Sequence, residues 1–179
     1  MLKRILRKLK GKNSEMEYLL SQGFKMGKNC SIYSEYAIDS NFPWLIEIGN
    51  HVMISTNVKI LAHDASTGFV GVGTKIGRVT IGNEVFVGSG TTVLCNTKIG
   101  DNVIIGANSV VVGDLPSNAV YAGNPAKFIC TIEEFQDKHF KNLDAKPMFE
   151  KKWYKWKDAT KEEKEEMKKA LKNTFGYVK

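Results

Sequence analysis

The stretch I60-L-A-H-D-A-S-T-G68 sets an imidazole beside a carboxylate and follows both with small residues. Imidazole exchanges protons near neutral pH and also ligates metals, so His63 is the first residue whose chemistry needs explaining. A catalytic metal site takes about three protein ligands. The chain has three histidines, but His139 falls in the C-terminal segment, away from His51 and His63, and no metal is expected. Cys30, Cys95 and Cys130 are odd in number, far apart and free of C-x-x-C spacing, which argues against a disulfide framework and against zinc. Cys95 has no histidine or acid beside it and reads as a turn neighbour rather than a nucleophile.

The elements that must position His63 are written in a repeat. Aliphatic residues recur every six positions at Ile81, Val87, Val93, Ile99, Ile105 and Val111. Two residues ahead of the last five stand Val85, Thr91, Thr97, Val103 and Ser109, a second row of small or β-branched residues. Alternation at i−2 and i puts both side chains on one face of a strand, and the six-residue reset makes each strand short and ends it in a turn. The same count runs earlier through Ile48, Ile54 and Ile60, but the interval from Ile60 to Ile81 is no multiple of six. Residues 61–77 therefore leave or bend the coil, and they contain His63. Irregular segments on a rigid repeat are where sites concentrate. Hexapeptide periodicity is the signature of a parallel β-helix, whose stacked coils share one core. No helix-length segment lies between these strands, so β-α-β units are excluded.

With 179 residues, 42% apolar and 25% charged, one globular domain with appendages is expected. The net charge of +7 sits mostly in the first twelve residues and the C-terminal third, which removes its value as a nucleic-acid signal. No run is long and apolar enough for a transmembrane helix and no signal peptide opens the chain, so a cytoplasmic location is expected.

I-G-N-E-V-F-V-G-S-G (81–90), I-G-D-N-V-I-I-G-A-N-S-V-V (99–111) and A-G-N-P-A-K (122–127), with H63-D64 upstream, resemble the hexapeptide-repeat acetyltransferases, in particular the galactoside and maltose O-acetyltransferases and their capsule and O-antigen relatives. The resemblance covers residues 28–130. It implies an all-β-dominated fold, a left-handed parallel β-helix over residues 23–130; the residues at the two ends add an N-terminal helix in 1–22 and C-terminal helices in 131–179. It also implies a homotrimer with active sites between subunits, acetyl-CoA as donor and a sugar hydroxyl as acceptor. His63 takes the family's general base position, and direct transfer then needs no acyl-enzyme. Asp64 fits two roles, orienting the imidazole or a substrate hydroxyl, or capping the loop. Asn41, in D39-S-N-F-P-W44, reads either as a polar group at the acyl centre or as a turn residue. Backbone N–H groups around Ser89 are the expected oxyanion donors. Phe86 would wall the cofactor groove, Gly88, Ser89, Gly106 and Ala107 would let pantetheine approach, and Lys127 would face the nucleotide phosphates or be a solvated lysine at a helix end.

The pattern is not complete. Phe86 stands where many relatives carry tryptophan, Val112-Gly113-Asp114 stands for Thr-Lys-Asp, and Cys95-Asn96 replaces Pro-Gly. At the N-terminus Leu2, Ile5, Leu6 and Leu9 form one helical stripe among cations, which suits either packing on the protein itself or peripheral contact of residues 1–12 with the inner face of a membrane. Thr131-x-x-Glu134 and Thr160-x-x-Glu163 match capping boxes and announce two C-terminal helices, the first expected to cap the β-helix end. Residues 147–157 mix aromatics with lysines and fit packing against a neighbouring subunit or stacking on sugar rings or bases. The competing functions are N-acetylation of an amino sugar nucleotide or a xenobiotic, a metal enzyme of the gamma carbonic anhydrase type, and a scaffold or nucleic-acid binder using the basic ends.

Overall fold

The computed structural model describes residues 15–33, 35–151 and 153–179. The amphipathic stripe expected in residues 1–12 lies outside them. The chain forms two compact units, Met1–Ile132 and Glu133–Lys179.

The first unit is a three-faced parallel β-helix. Its first face stacks Lys25–Met26, Ile46–Ile48, Val79–Ile81 and Thr97–Ile99. The second stacks Ser31–Ile32, Met53–Ile54, Val85–Val87, Val103–Ile105 and Ala119–Ala122, and the third Ala37–Ile38, Lys59–Ile60, Thr92–Val93 and Val110–Val111. All these ladders are parallel, and each strand rejoins its sheet only after the chain has visited the other two faces. An antiparallel strand, Lys127–Thr131, closes the second face against Ala119–Ala122.

Both six-residue rows point inward. Ile81, Val87, Val93, Ile99, Ile105 and Val111 are buried, and so are Val85, Thr91, Thr97, Val103 and Ser109. Residues 15–21 are helical, and Leu19 and Phe24 join the same core. Glycine is required where one coil lies directly on the next. A Cβ at Gly49 would sit 2.6 Å from the Gly82 carbonyl oxygen, and one at Gly82 would sit 2.7 Å from that of Gly100. Beside this stack a polar ladder climbs the corner between the first and second faces. Lys28 N–H donates to Asn50 Oδ1 (2.9 Å), Asn50 N–H to Asn83 Oδ1 (2.9 Å) and Asn83 N–H to Asp101 Oδ1 (2.6 Å). Cys95 is buried and precedes Asn96, which turns the chain with φ 61°.

The second unit holds helix Ile132–Leu143 from Glu133 onward and helix Lys161–Ala170. The second of these has the full capping box, with Thr160 and Glu163 bonded reciprocally. Trp156 packs inside this unit. Its ring meets Phe149 edge-on at 5.7 Å and its Nε1–H donates to the Lys151 carbonyl (3.0 Å). No helix among the described residues is long and apolar enough to cross a membrane.

Candidate active site

Successive coils differ in length. Stacked corner residues are 22 positions apart at the bottom, 33 in the next coil and 18 above. In both longer coils the extra residues leave at the same corner, between the third and first faces. The lower excursion runs from Asp39 to Leu45, between Ala37–Ile38 and Ile46–Ile48; the upper runs over 61–78, between Lys59–Ile60 and Val79–Ile81. Because Ala37–Ile38 pairs with Lys59–Ile60, the two excursions start one above the other.

Each excursion is locally built. In the lower one Asn41 N–H donates to Asp39 Oδ1 (3.0 Å), and a 3-10 turn, Pro43–Leu45, begins on a buried proline. Proline suits the first helical position because its missing N–H would have no partner there. In the upper one His63–Asp64 pairs antiparallel with Lys75–Ile76, and Asp64 caps the 3-10 helix Ala65–Val70 by accepting from Ser66 N–H (2.9 Å). Gly71, with φ 78°, ends that helix in the left-handed region. Of the two roles open to Asp64, its carboxylate makes the loop cap. Hydrogen bonds from the Ser66 side chain and amide hold it below the usual carboxylate range.

The acid that meets the imidazole is Asp39. His63 Nδ1 is hydrogen-bonded to Asp39 Oδ2, which also accepts Ala62 N–H at 2.9 Å. Asp39 is only 6% exposed. Burial alone would raise its pKa, but the bonds from His63, Ala62 and Asn41 outweigh it and hold the carboxyl below its ordinary value. In the neutral ring, a carboxylate at Nδ1 favours the tautomer with the proton on that nitrogen, which leaves the lone pair on Nε2. The Phe42 ring lies 5.5 Å from the imidazole and Trp44 lies 5.7 Å from Phe42. Asn41 contributes its backbone to Asp39, while its side chain is exposed.

Gly88, Ser89, Gly106 and Ala107 come together elsewhere, at the corner between the second and third faces. Here the glycines serve the stacking of coils: a Cβ at Gly88 would lie 2.6 Å from Ala107 N, and one at Gly106 would lie 2.9 Å from Ala122 Cβ. The Ser89 hydroxyl is bonded to Ser55 Oγ (2.7 Å) and Thr56 Oγ1 (3.2 Å). Phe86 faces outward on the second face, 40% exposed. Lys127 opens the exposed closing strand rather than ending a helix. Ser89 precedes strand Thr92–Val93, and His63 follows strand Lys59–Ile60 beside it, so the two lie off opposite ends of the third face. A groove of about 770 Å³ along the first face, lined by Lys25, Glu47, Arg78 and Lys98, does not include His63.

This repeat is shared. Residues 78–113 match the family model described as bacterial transferase hexapeptide (six repeats). Protein CapG of Staphylococcus aureus is 36% identical over 151 residues, spanning 80% of this chain and 86% of CapG. The chain belongs to the hexapeptide-repeat transferase family. The galactoside O-acetyltransferase of Escherichia coli K12 is 33% identical to this transferase over 130 residues, 69% of this chain and 64% of that enzyme. A hexapeptide-repeat acetyltransferase from Vibrio cholerae, VCA0836, crystallised with acetyl-CoA, shares the fold at a TM-score of 0.51 and 20% identity, over 66% of this chain and 77% of that one. The transferase is thus a left-handed β-helix and an acyltransferase. Asp39 was within the D39-S-N-F-P-W44 motif, but sequence reasoning passed over it. An Asp two residues before Asn, at the end of the row that holds Ile38, was the signal for a side chain folded back onto its own turn.

Proposed function

We propose that this transferase moves an acetyl group from acetyl-CoA to a sugar hydroxyl, in the synthesis of a capsular or other surface polysaccharide, at sites shared between copies in a homotrimer. The observation that carries the reading is the contact of His63 Nδ1 with buried Asp39, which leaves Nε2 as a base. The acceptor O–H gives its proton to Nε2 as its oxygen attacks the thioester carbonyl. Asp39 stabilises the imidazolium that forms. As the tetrahedral intermediate collapses, the same proton passes to the departing CoA sulfur, and no acyl-enzyme is needed.

Support for a shared site comes from the opposite positions of His63 and Ser89 across the third face: in this reading one copy supplies the imidazole and a second copy the Ser89 corner. In this reading the N–H groups around Ser89 of the second copy face the oxyanion, and Gly88, Gly106 and Ala107 border the pantetheine beside Phe86. Lys127 meets the phosphates. Asn41, exposed on the lower excursion, faces the acceptor, and Asp64 holds the loop. The sugar acceptor draws on the similarity to the galactoside enzyme.

The test is His63→Ala assayed with labelled acetyl-CoA and a panel of sugar and amino acceptors. The wild type should give alkali-labile label, as an ester does, and the variant should keep CoA binding and lose about 100-fold or more in turnover. Alkali-stable label would move the reaction to amines, and near-normal turnover would remove His63 from the chemistry.

A further inference from the structure

The groove of about 770 Å³ on the first face lies outside the dyad, and the proposed transfer step does not use it. Its outer row climbs through Lys25, Glu47, Thr80 and Lys98, which stand in register on four successive coils. A second hollow of about 320 Å³ continues it past Arg78 and Lys98 to Asp114. The charges here are exposed and loosely paired. Lys25 Nζ and Arg78 Nη2 lie 3.6 and 3.8 Å from the same Glu47 oxygen, and both cations are 72% exposed. Exposed pairs of this kind contribute little, so a ligand can exchange them at small cost. The centre of a stable interface between copies is depleted of charge, so this face is not built as one.

The lining selects the ligand. Lys25, Arg78 and Lys98 are balanced by Glu47, Asp101 and Asp114, which gives a polyanion such as a nucleic acid no net attraction. Closely mixed donors and acceptors, with the amides of Asn50 and Asn83 along one edge, match hydroxyl groups instead, because a hydroxyl both donates and accepts. Coils repeat every ~4.8 Å, close to the advance of one sugar residue in an extended glycan. The groove also reaches the corner that holds the dyad. Arg78 closes the upper excursion, and its neighbour Gly77 donates its N–H to the carbonyl of Ala62, the residue before His63 (2.9 Å). We propose that the first face binds an acceptor chain of several sugars, so that the substrate is an oligosaccharide or polysaccharide and not a free sugar or a sugar nucleotide. The proposal rests on the reading of His63 as the base for a sugar hydroxyl. Sugars seated between Lys25 and Lys98 hold the chain, and a sugar turned around the Arg78 corner meets Nε2.

The experiment uses the full chain and galactose acceptors of increasing length, from methyl galactoside through its linear oligomers to the hexamer. In the wild type the acceptor KM should fall by about tenfold or more from the single sugar to the hexamer, at nearly constant kcat. Arg78→Gln with Lys98→Gln should cut that gain to about twofold or less, and leave the kinetics of methyl galactoside and the KM for acetyl-CoA unchanged. Lys138→Gln with Lys141→Gln, which removes the same charge from helix Ile132–Leu143, should keep the full gain. A wild-type KM independent of length, or a gain that survives the Arg78 and Lys98 exchanges, would overturn the groove and leave His63 as a base for sugars. If the wild type acetylates no galactoside of any length, the sugar acceptor and the groove are both wrong.

Discussion

His63 Nδ1 is hydrogen-bonded to Asp39 Oδ2, a carboxylate 24 residues earlier and one coil below. An imidazole on a loop is thereby anchored to the rigid prism, because Asp39 is buried and also holds Ala62 N–H and Asn41 N–H. Removing that carboxylate releases the imidazole from its tautomer and its orientation together.

Asp39→Asn is therefore expected to lower kcat by roughly 100-fold with little change in the KM for acetyl-CoA. Asp64→Ala should stay within about threefold of the wild type in kcat, since its carboxylate caps the loop and leaves the imidazole to Asp39. Steady-state kinetics on both variants decide the matter, and equal losses would give Asp64 a part in orienting the imidazole or the acceptor.

Asp39 also makes stability depend on pH. Its folded pKa lies below the ordinary 3.8, so between the two values the unfolded chain binds more protons and stability rises with pH. The contribution is complete above the unfolded value and is lost as pH falls through the folded one. Thermal midpoints of the wild type and Asp39→Asn should differ most above about pH 5 and converge below about pH 4. A gap that stays constant into acid would contradict this.

Thr97 and Thr91 are both buried inward residues, but the Thr97 hydroxyl lacks a partner whereas that of Thr91 donates to the Gly106 carbonyl at 3.1 Å. Burying an unpaired hydroxyl costs about 1–3 kcal/mol, and a satisfied one contributes about 1 kcal/mol. Thr97→Val should therefore stabilise by about 1 kcal/mol and Thr91→Val destabilise by about the same. Urea titrations of the pair test the sign.

Gly82→Ala must push a methyl into the Gly100 carbonyl and Asp101. Overpacking of this kind costs about 1–3 kcal/mol, which lowers the midpoint by about 3–10 °C. Gly68→Ala, in open space on the upper excursion, should leave the midpoint within about 2 °C. Calorimetry of the two variants separates stacking from general helix or strand effects.

Both inward rows were legible because side-chain alternation along a strand is a local property, written every six residues from Ile81 to Val111. The break at 61–77 and the histidine in it were legible for the same reason. The partner of that histidine was not. Which residues face each other across a ladder depends on how many residues each circuit holds, and the circuits here span 22, 33 and 18 positions. Only the stacked prism brings both excursions to one corner and sets Asp39 under His63. It likewise decided that Gly88 and Gly106 are small because other coils lie against them. The sequence alone determined the period, the faces and the place where the coil breaks; the tertiary structure chose the contacts between coils, because backbone hydrogen bonds fix that register across long chain separations.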